Sequence, residues 1–149
     1  MKMRKPLPPT YFITSLILTA ALHLFLPVIQ LIHSPYRYGG IILIIFGIWI
    51  NLRTDNLFKR YNTTVKPFEN SSAMITEGPF RFTRNPMYLG MVFILLGASI
   101  VLGSLTTFII PAAYYISVSI VFIPDEEKTL EDVFGNEYLK YKKHVRRWL

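Results

Sequence analysis

Cysteine is absent from the 149 residues, so disulfides, thiolate metal sites and a thiol nucleophile are excluded at the outset. Several short signatures are missing as well. There is no glycine-rich phosphate loop of either common kind, no histidine pair at metal-ligand spacing and no serine elbow, and no metal site is expected. Neither an internal repeat nor a low-complexity tract occurs. The most informative absence is of charge: from Asn85 to Pro124, 40 residues pass without an Asp, Glu, Lys or Arg. A soluble domain of this size has little reason to carry such a run. The formal charge of +7 would otherwise suggest nucleic acid, but with 52% hydrophobic residues the membrane is the expected partner and nucleic acid is not. The length suits one domain, residues 1–149, rather than two.

What is present divides into apolar spans and polar corners. Met1 to Pro9 is short, basic and proline-rich, like the start of a signal peptide. The next segment is too long for one and lacks a small-residue cleavage site. Residues 11–32 are mainly apolar and long enough for about 30 Å of hydrocarbon, with a kink expected at Pro27 and His23 inside as a hydrogen-bonded packing residue. A second span is expected near 38–58. Its apolar part is short, so the helix should run on through Arg53, Asp55 and Lys59, the last two one turn apart. The polar connection from Tyr61 to Thr83 holds turn-forming material: Asn62-Thr63-Thr64, Lys66-Pro67-Phe68 and Glu69-Asn70-Ser71-Ser72. The 40-residue run then fits two spans, near 86–102 and 105–123, with a hairpin at Gly103-Ser104. Gly90, Gly97 and Gly103 would permit close helix approach.

Past Pro124 the chain changes character. Asp125, Glu126 and Glu127 open a polar helix where carboxylates suit the dipole, Asp125 can cap it, and Gly135 can end it. A second amphipathic helix, about Asn136 to Trp148, carries Tyr138, Tyr141, Val145 and Trp148 among five basic residues and should lie in the interface. The expected fold is therefore an all-α polytopic membrane protein: four transmembrane helices, then short amphipathic C-terminal helices in 124–149. With four spans, 15 of the 16 Lys and Arg fall on one face, which the positive-inside rule makes cytosolic together with both termini.

The chain is organised around Gly78 to Gly90, where a polar loop meets an apolar helix. Asn85 is a strong N-cap type, and Pro86 is tolerated at the first helical position because its missing N–H would be unpaired there. Such a start, flanked by Arg81 and Arg84, favours an anionic group. An ordinary capped span with basic flanks would show the same local features. With the acids past the last span on the same face, the residues describe a pocket for a charged metabolite beside the lipid. Carboxylates would meet an ammonium or ribose, N–H groups a carboxylate, and aromatics a sulfonium.

Three stretches narrow this. Thr76-Glu77-Gly78-Pro79-Phe80-Arg81-Phe82-Thr83-Arg84-Asn85-Pro86-Met87-Tyr88-Leu89-Gly90 resembles the Gly-Pro-aromatic-Arg…Arg-His/Asn-Pro-x-Tyr-x-Gly signature of the isoprenylcysteine carboxyl methyltransferase and phospholipid methyltransferase group. Glu126-Glu127-x-x-Leu130-x-x-x-Phe134-Gly135 resembles its paired-glutamate motif, and Glu137-Tyr138-x-x-Tyr141-x-x-x-Val145-x-Arg147-Trp148 its C-terminal stretch. Asn62-Thr63-Thr64 and Pro67 are similar to the upstream loop of bacterial members. The likeness covers roughly residues 58–148. It implies S-adenosylmethionine as cofactor, contacted by Arg84, Asn85, Tyr88, Leu89, Gly90, Glu126 and Glu127. On chemical grounds Arg84 and Glu127 are the catalytic candidates, with Glu127 or a water to accept the proton of an amine acceptor, and Arg81 or Arg84 to hold an anionic group of the substrate. One glutamate would face the cofactor while the other orients an arginine of the signature or the substrate. Many eukaryotic members have histidine where this chain has Asn85, which cannot titrate near neutral pH. The implied acceptor is lipid-like or lipid-attached, either a carboxylate or a phospholipid amine. A nicotinamide-dependent membrane reductase and a non-enzymatic membrane protein are the alternatives.

Overall fold

The computed structural model describes residues 8–63 and 73–149, and among them every regular element is helical. The basic Lys2, Arg4 and Lys5 lie outside the described residues, as do Thr64, Lys66-Pro67-Phe68 and Glu69-Asn70-Ser71-Ser72 of the connecting loop. In chain order come α1 (Pro8–Phe25), α2 (Gly39–Arg60), α3 (Pro86–Leu102), α4 (Ile109–Val121), α5 (Ile123–Phe134) and α6 (Asn136–His144), with 3-10 turns at Tyr36–Tyr38, Gly78–Arg81 and Leu105–Phe108. Three stretches are long and apolar enough to cross a membrane: Pro8–Phe25, Tyr36–Arg60 and Leu105–Phe134. The chain is an integral membrane protein. The fourth expected span, α3, is apolar but has only 17 residues and does not reach that length. Ile42, Leu24 and Ile120 point outward, as apolar side chains facing hydrocarbon do.

Lipid tails are as apolar as leucine, so helices in a membrane gain most from close van der Waals contact between small residues. The antiparallel α2–α3 pair is built on that. Gly40 faces Gly97 at one end of the contact and Gly47 faces Gly90 at the other, each pair related to the next by seven residues. A Cβ on Gly97 would stand 2.5 Å from the Gly40 carbonyl oxygen, and one on Gly47 would stand 2.5 Å from that of Gly90. Gly103, expected among the close-approach glycines, acts differently: it ends α3 at φ 77°, a left-handed conformation that suits glycine.

The end of the molecule away from Gly90 is tied by polar contacts. The α1 helix stops at Phe25 instead of kinking and continuing to Ile32, because Pro27 has no N–H and disfavours helix in the residue before it. The following segment lies against the α3–α4 turn, with Leu31 N–H donating to the Gly103 carbonyl at 2.7 Å and Leu105 N–H to that of Ile29 at 2.9 Å. His23 Nδ1 is 2.7 Å from Ser104 Oγ, a hydrogen-bonded packing position as expected. Arg37, the one basic residue that the four-span reading sets apart, donates from Nε to the Val101 carbonyl at 2.7 Å. It satisfies the end of α3 and complements the negative pole of that helix.

At the other end, α4 and α5 are nearly continuous. The break falls at Phe122, and Pro124 sits in the first turn of α5, where its missing N–H is tolerated. Leu95, Tyr114, Val118, Phe122 and Ile123 form the buried core with Tyr88, and α1 closes it through Tyr11 on Phe122 at 5.2 Å between ring centroids. The charged end of α2 runs to Arg60 as expected, and the Asp55–Lys59 pair at 2.6 Å lies on its surface.

The glycine contact supplies a sharp test. Gly97→Val should lower the unfolding temperature in detergent by several degrees, since overpacking costs about 1–3 kcal/mol. A Cβ at Gly39 meets nothing within 4 Å, so Gly39→Ala should leave that temperature nearly unchanged.

Candidate active site

The polar end of the molecule is assembled from the Gly78–Arg81 turn, the start of α3, α5, α6 and the residues after α6. Gly78 has φ 59°, and Pro79 starts the 3-10 turn that buries Phe80 against Phe58, 5.8 Å between ring centroids. Tyr141 Oη donates to the Phe80 carbonyl at 2.7 Å, pinning α6 to this turn.

Asn85 does not cap α3. Its backbone is at φ −128°, ψ 57° and its side chain makes no capping bond; instead Nδ2 donates to the Arg147 carbonyl at 2.9 Å. Thr83 Oγ1 donates to the same carbonyl at 3.0 Å, and Arg84 N–H to the Arg146 carbonyl at 2.9 Å. The carbonyls of both Arg146 and Arg147 are thus taken by the loop before α3. Accordingly α6 ends at His144 instead of reaching Trp148, with Val145 at φ −117°, ψ 131°. Trp148 then packs on Tyr115 of α4, 4.6 Å between ring centroids.

Glu127 stands at the centre. Its side chain is 8% exposed, and Arg147 grips it with both prongs, Nε to Oε1 at 3.0 Å and Nη2 to Oε2 at 2.8 Å. Arg84, 10% exposed, approaches Oε1 from the other side with Nη1 at 3.2 Å, and Lys142 Nζ is 3.8 Å from Oε2. A bidentate guanidinium on a carboxylate is the strongest ion-pair geometry available to side chains. Its hydrogen bonds to Glu127 hold the Arg147 guanidinium charged above its ordinary range. Tyr138 Oη lies 3.5 Å from Arg84 Nη1; burial, then the Glu127 charge, raise this phenol above its usual value, so it stays neutral.

Glu126, on a different face of α5, accepts a hydrogen bond from Tyr88 Oη at 2.6 Å. Among the described residues no other bond to this carboxylate occurs. Asp125, expected as the cap of α5, lies inside the first turn, and the capping position is Phe122 with no side-chain bond. Asn51 of α2 abuts Gly90, where a Cβ would stand 2.5 Å from its Oδ1. Among the described residues, that oxygen and Arg84 Nε are buried without a hydrogen-bond partner.

Of the residues singled out in the sequence, Arg84, Asn85, Tyr88, Glu126 and Glu127 share this corner, while Leu89 is buried and Gly90 faces α2. Arg81 stands exposed at the end of the 3-10 turn, apart from the ion-pair cluster. Arg147, Tyr138 and Asn51 were not anticipated as site residues. Arg147 and Tyr138 were visible in the C-terminal stretch, but a helix drawn through Trp148 gave the arginine no reason to turn inward.

Loss of the Asn85 amide should loosen the tail. Asn85→Ala is expected to speed tryptic cleavage after Arg146 several-fold and to cost about 0.5–1.5 kcal/mol, the net contribution of one hydrogen bond. Asn85→His, which keeps a donor, should restore much of the protection.

Comparison with known proteins bears on the family of the chain. An uncharacterized protein of Haemophilus influenzae is 38% identical over 63 residues, covering 42% of this chain and 100% of that protein. The family profile described as phospholipid methyltransferase matches residues 36–137, more than half of the chain and inclusive of both the Arg84–Gly90 stretch and the glutamate pair. This match shows that the chain belongs to the phospholipid methyltransferase family.

Proposed function

We propose that the chain is an S-adenosylmethionine-dependent methyltransferase acting on a lipid-like or lipid-attached molecule at the membrane interface. The carrying observation is the pair of adjacent acids held in two different ways beside the start of α3: Glu126 under Tyr88 and Glu127 between two arginines. Adjacent helical residues point roughly 100° apart, so the two acids serve separate tasks.

The donor set suits this cofactor. Glu126 has an oxygen open to an ammonium or a ribose hydroxyl. Arg84 Nε and Asn51 Oδ1 are buried polar atoms awaiting partners, one a donor for a carboxylate, the other an acceptor. Gly90 lets α3 press against α2 at this level, where any side chain would collide with Asn51. Tyr88 and Leu89 complete the cofactor contacts, with Asn85 contributing through the tail that it holds.

When bound, S-adenosylmethionine supplies a methyl group on a sulfonium, which moves by in-line displacement. The chain contributes orientation and exclusion of water. Glu127, committed to two guanidiniums, keeps Arg84 in place and is badly situated to receive a proton. A carboxylate acceptor needs no base. A phospholipid amine would release its proton to interfacial water. Arg81, exposed at the end of the Gly78–Arg81 turn, would meet a phosphate or carboxylate of the substrate.

The positive-inside rule sets the corner and both termini on the cytosolic face, with α3 as a fourth, shorter span. The chain has no cysteine, so single cysteines introduced at Lys140 and Tyr36 report sidedness cleanly. Labelling by a membrane-impermeant maleimide is expected from the cytosolic face at 140 and from the opposite face at 36. Both positions labelling from one face would refute the topology.

Calorimetry distinguishes the enzyme readings. Purified protein should bind S-adenosylmethionine and not NADPH. Glu126→Gln should weaken the former roughly 10- to 150-fold, the loss of a charged hydrogen bond of about 1.5–3 kcal/mol. NADPH binding alone would select the reductase reading, and binding of neither would reject both.

A further inference from the structure

We propose that Arg147 is a positioning residue of the site, acting through Glu127 on Arg84; this rests on the cofactor reading above. The residues from Val145 to Trp148 lie beyond the matched stretch 36–137, within the C-terminal stretch where Arg147 was given no role of its own. They touch the loop before α3, Glu127 of α5 and Tyr115 of α4. The backbone carbonyls of Arg146 and Arg147 receive the N–H of Arg84 and the side chains of Thr83 and Asn85. The Arg147 guanidinium binds both oxygens of Glu127, and Trp148 anchors the segment on Tyr115.

Arg84 is thereby located twice by the same tail: through its own backbone N–H, and through the Glu127 oxygen that its guanidinium shares with Arg147. A carboxylate gripped by a planar fork cannot swivel, so the 3.2 Å contact to Arg84 has a fixed direction. That direction leaves Nε without a protein partner in a buried place. Lysine at position 147 would keep the charge but supply a point contact in place of a fork. Glu127 would then be free to turn toward Lys142, 3.8 Å from its second oxygen, and Arg84 would lose its alignment.

The test is a double-mutant cycle on S-adenosylmethionine affinity in detergent, with hydrogen exchange at the Arg84 amide as a separate reading of tail docking. Arg147→Lys should weaken binding roughly tenfold while the Arg84 amide stays protected, because the backbone bonds of the tail remain. In a Glu127→Gln background the same change should add less than about twofold, since the route through Glu127 is already cut. Full additivity of the two substitutions, or loss of amide protection in step with loss of affinity, would show Arg147 to be a general clamp and overturn the proposal. Wild-type affinity in a folded Arg147→Lys protein would overturn it as well. Failure of the wild type to bind S-adenosylmethionine would instead reject the cofactor reading.

Discussion

A carboxylate removed from water between two guanidiniums is the constraint on which the polar end of this protein depends. Glu127 costs several kcal/mol to desolvate, and its partners return that only while their geometry holds. Such a cluster adds little net stability compared with apolar packing, yet breaking it by removing one partner costs about 3–5 kcal/mol. Its effect is to fix register. Glu127 belongs to α5, Arg84 to the loop before α3 and Arg147 to the tail, so three segments distant in sequence have one mutual arrangement that leaves no charge stranded.

That arrangement needs the start of α3 at a fixed height, which the glycine contacts provide. Gly47 against Gly90 brings the backbones of α2 and α3 together just below the corner, and the Gly40–Gly97 contact holds the same register at the far end. The far end is locked by the α1 extension and by Arg37 on the last turn of α3. Packing in the membrane thus determines where Arg84, Tyr88 and Gly90 emerge, and the ion pairs determine what meets them there.

Much of this was legible in the sequence. The absence of charge from Asn85 to Pro124 located two apolar helices, and α3 begins and ends at the expected Pro86 and Leu102. Asp55 and Lys59, one turn apart, correctly carried α2 past its apolar part. The errors share a cause, which is that local propensity was read where a distant partner decides. Asn85 has the composition of a cap, but the Arg147 carbonyl 62 positions away takes its amide. The periodicity of Tyr138, Tyr141, Val145 and Trp148 suits a helix, but the helix ends at His144 and residues 146 and 147 bond the loop before α3 instead. Gly40 and Gly47 sat unremarked in an apolar run, because only a pairing partner distinguishes a contact glycine from any other. The first span was overextended because Pro27 ends the helix, whereas a tolerated kink would have needed neighbours to satisfy the freed backbone groups.

The central claim, that this corner methylates a lipid-like molecule, is tested most directly by following the methyl group itself. Membranes containing the chain would be incubated with S-adenosylmethionine labelled in its methyl group, then extracted with organic solvent. The account predicts label in the lipid phase that depends on the chain and disappears in a folded Glu126→Gln, Glu127→Gln double variant. Label confined to the aqueous phase, or lipid label undiminished by that double variant, would contradict it.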